Sequence, residues 1–216
     1  MGIEQELLNR IFNIDLMETM STIQDNSIDF VFSDPPYNKK KDYGVYEDNL
    51  PEKDYWEWVK SFIEEYRRIS NNNFGVFIAT NLIKKYWDLI PDAKLIVVRK
   101  RAMGVRFRSY YQQYFGFLVT AKPNEIIYDL WEDIRLPGEG YFFKEERFPN
   151  PGLTSLKLTK KILTYFTKEG DVVYDGFMGT GTTAVACRHL NRNFIGNEIN
   201  PRYITIANER LKMCVI

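Results

Sequence analysis

The sequence predicts an α/β fold, a sheet covered by helices on both faces, and three observations carry that prediction. Short β-branched or aromatic runs alternate along the chain with segments of helical spacing. Those runs are compact and apolar, as strands buried on both faces are. The 216 residues suit one domain with a substantial core, and no repeat, low-complexity tract or Gly/Ser linker divides them.

The elements follow in order. Arg10–Ile14 reads as a short strand, followed by a helical turn or two through Met17, Met20 and Ile23. Asp25, Asn26 and Ser27 supply turn chemistry. Ile28–Phe32 reads as a buried strand that stops abruptly at Ser33-Asp34-Pro35-Pro36-Tyr37. Asn38–Asp54 is polar, holds Lys39, Lys40, Lys41, Gly44 and Pro51, and reads as a long mobile loop; loops of that length are usually functional or disordered. Trp56, Val59, Phe62, Ile63 and Tyr66 recur at the spacing of an amphipathic helix that stops between Ser70 and Asn73. Gly75–Thr80 and Leu95–Val98 are strands flanking a helix around Ile83–Leu89, and Tyr114–Thr120 is another strand. From about Ala121 to Asn150 the chain is weakly patterned and charged, with Pro137, Gly138 and Gly140. Leu156–Phe166 reads as a helix, Val172–Tyr174 as a strand and Thr182–Leu190 as a helix. A further strand starts at Phe194–Ile195, and Tyr203–Leu211 is the final helix.

Composition narrows the function. Hydrophobic residues at 44% and charged residues at 27% describe a soluble globular chain, not a disordered one. Cys187 and Cys214 cannot form a disulfide framework or a CxxC site. His189 is the single histidine, which argues against His-rich zinc sites and histidine-based hydrolysis, so no metal is expected. We read Cys187 and His189 as structural. No apolar run approaches the roughly 20 residues that span a bilayer. The opening MGIEQELLNR is acidic and lacks a signal-peptide core, so a cytoplasmic location is expected. Acids and bases balance at 29 each, so any nucleic-acid binding must use a local basic patch.

The first break in the pattern is rich in glycine. A strand ends at Asp175 and Gly176-Phe177-Met178-Gly179-Thr180-Gly181-Thr182-Thr183-Ala184 leads into a helix. Gly179, Gly181 and Ala184 have the spacing of a nucleotide-binding strand-to-helix turn. Glu198 follows Gly179 by 19 residues, close to the offset of about 20 at which an acidic side chain accepts hydrogen bonds from ribose hydroxyls. An adenosine-containing cofactor is therefore expected. Asp175, at the strand end, is expected to face the ligand. A pyrophosphate there would meet like charge, whereas an ammonium or sulfonium group would be attracted. S-adenosylmethionine fits, because it carries ribose and adenine but no phosphate.

The second break is Asp34-Pro35-Pro36-Tyr37. Two prolines fix both φ angles and remove two amide donors, which frees the carbonyls of Asp34 and Pro35 to face something other than the sheet. A carboxylate, those carbonyls and the flat ring of Tyr37 together suit a planar group bearing an NH2, such as adenine or cytosine.

These motifs resemble those of the DNA amino-methyltransferases, which methylate adenine N6 or cytosine N4. Asp34-Pro35-Pro36-Tyr37 is similar to the family's catalytic motif. Asp175 through Thr183 is similar to its cofactor motif D-P-F-x-G-S-G-T-T, with Gly176 in place of the proline. Phe194 through Tyr203 resembles the ribose-binding motif and its following helix. The motif order, catalytic before cofactor, resembles the circularly permuted β class. The resemblance implies a Rossmann-like methyltransferase fold with a mixed, mainly parallel sheet. It implies a cofactor site of Asp15, Asp34, Thr154, Ser155, Asp175, Phe177, Gly179, Gly181, Thr182, Thr183, Glu198 and Asn200. Asp15 falls where the family contacts the cofactor's adenine. Asn150 through Ser155 falls where the family has H-P-T-x-K-P, with Asn150 for His and Thr154 where Lys is usual.

By the resemblance, Asp34 and the Pro35 carbonyl accept hydrogen bonds from the target amino group, Pro36 shapes the turn and Tyr37 stacks on a base flipped out of double-stranded DNA. The family's cytosine enzymes mostly carry Ser at the position of Asp34, which favours adenine. For DNA contact the densest basic segment is Arg99, Lys100, Arg101, Arg106 and Arg108, interleaved with aromatics, and Lys39, Lys40 and Lys41 stand beside the catalytic tetrapeptide. Residues from about 121 to 150 fall where target recognition is placed in the β class. The segment is short, which implies a short recognition sequence or a second subunit, a homodimer included. The reading is thus a single methyltransferase domain over 1–216 that acts on DNA, of the kind found in restriction-modification. N4-cytosine or RNA methylation, or a non-catalytic DNA-binding partner, are the alternatives.

Overall fold

A computed structural model describes residues 5–99, 106–107, 110–111, 114–131 and 155–214, with backbone alone at 106–107 and 110–111. In chain order the strands are β1 (Arg10–Phe12), β2 (Phe30–Ser33), β3 (Phe74–Ile78), β4 (Lys94–Arg99), β5 (Arg106–Phe107), β6 (Tyr110–Tyr111), β7 (Tyr114–Val119), β8 (Leu130–Trp131), β9 (Val172–Asp175) and β10 (Asn193–Asn197). The helices are α1 (Leu16–Thr22), α2 (Glu52–Ser70), α3 (Ile83–Leu89), α4 (Leu156–Phe166), α5 (Thr182–His189) and α6 (Pro201–Met213). No helix among the described residues is long and apolar enough to cross a membrane.

Eight strands form one sheet in the order β1-β10-β9-β2-β3-β7-β4-β8, and β5 pairs separately with β6. The pairs from β1 through β3 are parallel, β7 runs antiparallel to both β3 and β4, and β8 is parallel to β4. The sheet is therefore mixed and mainly parallel, as expected of a Rossmann-like methyltransferase fold. β8 shows that the weakly patterned stretch after Ala121 contributes a sheet edge before it leaves the described residues.

Alternation along each strand assigns the two cores. Phe30 and Phe32 face α4 and α5, while Val31 between them faces α1 and α2. The same period separates Val173 from Tyr174 and Phe194 from Ile195. The face with α1, α2 and α3 buries Met20, Tyr55, Val59, Phe62, Tyr66 and Tyr86; the other buries Leu158, Ile162, Leu163, Ala184 and Cys187. Helix α2 begins at Glu52, ahead of the expected Trp56, with acids in its first turn and Arg67 and Arg68 in its last, matching the helix dipole. It stops where Asn71 enters the left-handed region at φ 50°.

The stretch expected as a mobile loop is internally built instead. The buried carboxylate of Asp48 accepts the backbone N–H groups of Asn38 (2.7 Å), Lys39 (2.8 Å) and Lys41 (3.4 Å). Asn38 exchanges two hydrogen bonds with the backbone of Leu50, at 2.7 and 2.8 Å. Tyr46 stacks on Trp58 of α2 with ring centroids 6.2 Å apart. A buried acid surrounded by amides folds residues 38–50 back onto α2, a device that polarity alone does not reveal.

Candidate active site

Four parallel strands, β1, β10, β9 and β2, lie side by side, so the loops leaving their carboxyl ends gather at one edge of the sheet. That edge is where open α/β sheets bind ligands. It carries Asp15 after β1, Glu198 after β10, the glycine turn after β9 and Asp34 to Tyr37 after β2. β2 pairs directly with β9, Phe30 opposite Val173 and Val31 opposite Tyr174. The two breaks in the sequence pattern are thereby neighbours.

At the glycine turn, Gly179 and Gly181 adopt φ 55° and 83°. Gly181 also faces α6: a Cβ there would lie 2.7 Å from that of Ala207. The turn is fastened by Met178 N–H to the Asn197 carbonyl and by Gly179 N–H to Glu198 Oε2 at 2.8 Å. Arg210, buried in α6, donates to the Thr180 carbonyl at 2.6 Å and reaches the hydroxyls of Thr180 and Thr182.

Asp175, expected to face the ligand, also braces the turn. Its carboxylate accepts Phe177 N–H at 2.9 Å and the Thr183 hydroxyl at 2.6 Å. Strand alternation puts Asp175 on the face of Val173, within reach of α5. Burial pushes its pKa up to about 7; the bonds from Thr183 and Phe177 oppose that, while the charges of Asp34 and Glu198 add to it. Asp175 therefore feels the charges of both Asp34 and Glu198. A cation placed among them would be favoured and an added anion disfavoured.

The other expected cofactor residues divide. Glu198 is half-buried, with its pKa raised by burial, and accepts Asn200 N–H at 2.8 Å as well as Gly179 N–H, which leaves further lone pairs toward the edge. Thr182 and Thr183 spend their hydroxyls inward on Arg210 and Asp175. Phe177 packs edge-on against Trp58 and Phe62. Asp15 caps α1 through Met17 N–H, and Ser155 caps α4 through Leu158 N–H. Asn200 caps α6 and donates from Nδ2 to the Tyr43 carbonyl at 2.9 Å, linking the 38–50 loop to the loop after β10. These side chains build the site's walls as their first task. Thr154 lies outside the described residues.

At the proline turn, the Tyr37 hydroxyl donates to Asp34 Oδ1 at 2.7 Å, so carboxylate and ring are held together. Burial first, then the Asp34 charge, pushes the Tyr37 phenol far above its usual range. The Tyr55 hydroxyl donates to the Pro36 carbonyl at 3.1 Å and lies 3.2 Å from the Tyr86 hydroxyl. Lys39 Nζ stands over the Tyr37 ring at 5.7 Å and Lys41 Nζ over the Tyr43 ring at 4.9 Å. Burial lowers the pKa of both lysines; Asp34 and Asp48 oppose this at Lys41, and Asp48 at Lys39. Lys40 is exposed. Of the second basic group, Arg99 ends β4 at the far side of the sheet from β9, exposed and in register with Tyr114. Arg106 belongs to β5, and Lys100, Arg101 and Arg108 lie outside the described residues.

Sequence reasoning missed Asp48, Tyr55, Tyr86 and Arg210. Tyr55 carried a usable signal, because it precedes Val59 by one helical turn on the buried face of α2. Arg210 and Asp48 gave none, since each looks like an ordinary surface charge.

A family model described as DNA methylase, covering N6 and N4 enzymes, matches residues 28–128 and 111–209. The Type II methyltransferase M.HpaI of Haemophilus parainfluenzae is 28% identical over 239 residues, 94% of this chain and 74% of its own length. The DNA adenine methyltransferase YhdJ of Escherichia coli (strain K12) is 23% identical over 240 residues, 93% of this chain and 82% of its own. The crystal structure of an M1.HpyAVI-SAM complex superposes with a TM-score of 0.67 at 26% identity, covering 93% of this chain and 98% of that one.

Proposed function

The chain belongs to the N6/N4 DNA methylase family, and from that premise we propose that it methylates the exocyclic N6 of adenine in a base flipped out of DNA. It is a DNA methyltransferase and uses S-adenosylmethionine. The observation that supports transfer to an exocyclic amino group is the direct pairing of β2 with β9, which sets an acceptor-rich proline turn beside a glycine turn flanked by carboxylates. Adenine is favoured over cytosine because the catalytic tetrapeptide begins with Asp34, where the family's cytosine enzymes mostly carry Ser, and because a relative such as YhdJ is an adenine enzyme by name.

The cofactor fits the residues present. Two carboxylates, Asp34 and Glu198, within electrostatic reach of a third, Asp175, suit a cation. Glu198 and the glycine turn would hold its ribose and adenine side. When bound, the cofactor supplies an electrophilic methyl group on a positively charged sulfur.

The chain's own part is positioning and charge. An aromatic amine is a poor nucleophile because its lone pair is delocalised into the ring. Asp34 and the Pro35 carbonyl accept the amino hydrogens and return electron density to the nitrogen, with no covalent intermediate on the protein. Tyr37 holds the Asp34 carboxylate through Oδ1, and Asp34 is the first resting place for the proton that the methylated nitrogen sheds. The Tyr37 ring supplies the stacking face, worth about 1–3 kcal/mol against the few kcal/mol that flipping costs. Lys39, Lys40 and Lys41 line the path of the extruded strand and meet its phosphates, and the basic group beginning at Arg99 meets the duplex. The chain acts as a single domain, with residues from about 121 to 150 reading the sequence.

Incubation with methyl-labelled S-adenosylmethionine and DNA, followed by digestion to nucleosides, should yield N6-methyladenine. N4-methylcytosine as the product overturns the base assignment, label in RNA alone overturns the substrate, and no transfer to any DNA overturns the activity.

A further inference from the structure

The geometry points to Tyr55, with Tyr86 behind it, as a positioning pair that aims the acceptor carbonyl of the proline turn; this rests on the function proposed above. Tyr55 lies on α2 and Tyr86 on α3, both on the sheet face opposite α4 and α5, and they are 2% and 0% exposed. The Tyr55 hydroxyl lies 3.1 Å from the Pro36 carbonyl and 3.2 Å from the Tyr86 hydroxyl. A carbonyl can only accept, so the single hydroxyl hydrogen of Tyr55 is committed to Pro36. The hydrogen between the two phenols must then belong to Tyr86. The chain runs one way: Tyr86 donates to Tyr55, and Tyr55 donates to Pro36. Burial raises both phenols well above their ordinary range, so both hydrogens stay in place throughout the working range of pH.

The consequence lies in the backbone. The prolyl ring locks φ at Pro36, so the Pro36 carbonyl turns relative to the peptide plane before it through ψ alone. That preceding plane carries the Pro35 carbonyl, which accepts from the target amino group. Anchoring the Pro36 oxygen to a buried phenol therefore restrains the Pro35 oxygen, although neither tyrosine touches the base. A turn of two prolines has no N–H of its own at either ring with which to brace itself, so the brace must come from outside. Tyr55 also packs edge-on against Trp56, and Trp56 against Tyr86, with centroids 5.1 and 5.3 Å apart, which keeps the hydroxyls in line.

The test compares Tyr55→Phe, Tyr86→Phe and the double variant with the wild-type chain, by methyl transfer to duplex DNA and by thermal melting. Phenylalanine keeps the ring packing and removes only the hydroxyl. Tyr55→Phe should lower kcat about 10-fold or more while KM for S-adenosylmethionine and for DNA stays within about twofold. Tyr86→Phe should cost about 3-fold, and the double variant should match Tyr55→Phe alone, because Tyr86 acts only through Tyr55. Normal turnover in Tyr55→Phe, losses that multiply in the double variant, or a fall that merely tracks a lowered melting temperature would each overturn the assignment. A wild-type chain inert on every DNA would instead overturn the proposed function, and this inference with it.

Discussion

Strands β2 and β9 lie side by side and leave the sheet at the same edge, yet they do so by opposite chemistry. After β9 the chain uses glycines, and nearly every side-chain oxygen it offers is drawn inward, Asp175 to Phe177 and Thr183, Thr182 to Arg210. After β2 it uses prolines and brings a carboxylate and carbonyls together without proline amides among them. The glycine side is braced by its own hydrogen bonds and by α6 behind it. The proline side is braced from α2 and from the 38–50 loop. The contrast suits the proposed ligands: a large flexible molecule with ribose and amino-acid ends at one turn, and at the other a flat base whose amino hydrogens need acceptors.

The sharpest way to test that division is to strike the proline side alone. Asp34→Ala removes the acceptor and the partner of Tyr37. Turnover should fall by about 10²–10³ or more, and cofactor affinity measured by calorimetry should fall much less, because Asp175 and Glu198 remain beside the glycine turn. Equal loss of both would show that the two turns do not work separately.

On the other side, Gly181→Ala should act through the fold. The position has φ 83°, and the added Cβ would meet Ala207 at 2.7 Å. Backbone strain and overpacking together cost about 3 kcal/mol, a fall of roughly 10 °C in Tm for a domain of this size. Cofactor affinity should drop with it. A variant that melts normally and binds normally would remove the claim that this glycine is set by the α5–α6 contact.

How much of this was legible in the sequence depends on range. Both turns were, because glycine and proline act on the chain where they stand, and Phe30–Ser33 and Val172–Asp175 announce buried strands locally. Helix α4 and strand β7 were visible for the same reason. The direction of Asp175 was readable in principle from alternation with Val173, and its place beside the glycines suggested a ligand contact as well. Asp48 and Arg210 were not readable. Each is a buried charge whose partners are backbone groups and, for Arg210, two threonine hydroxyls, and nothing in its sequence neighbours' identities marks it as buried. Arg99 was legible as basic, but its place on a strand across the sheet was not.

A pH series sharpens the comparison further, because Asp175 holds its proton up to about 7, against an ordinary value of 3.8. Protonated, it contributes no charge; ionised, it attracts a sulfonium. Affinity for S-adenosylmethionine relative to S-adenosylhomocysteine, which lacks that positive charge, should rise severalfold from about pH 6 to 8. Asp175→Asn should flatten the ratio. In the ligand-free chain the sign reverses. The folded state keeps the proton that the unfolded state has lost, so this group's contribution to stability declines as pH climbs from about 4 to 7. A flat affinity ratio in the wild type would mean that the carboxylate is too well held by Thr183 and Phe177 to answer to the ligand's charge.

The smallest expected effect tests whether the two turns are also joined. Asn200 Nδ2 donates to the Tyr43 carbonyl, while Asn200 N–H donates to Glu198. A path thus runs from the expected ribose acceptor to the loop whose Lys41 covers the Tyr43 ring. Asn200→Ser preserves a helix cap for Arg202 N–H and is too short to reach Tyr43. If the link couples the sites, DNA affinity in the wild type should rise when cofactor is present, and the variant should lose about two- to threefold of that gain while its affinities for each ligand alone hold. Reciprocity adds an internal check, since the same factor must appear in cofactor affinity measured with and without DNA. A gain that survives in the variant would mean that the proline and glycine turns share an edge of the sheet but not a signal.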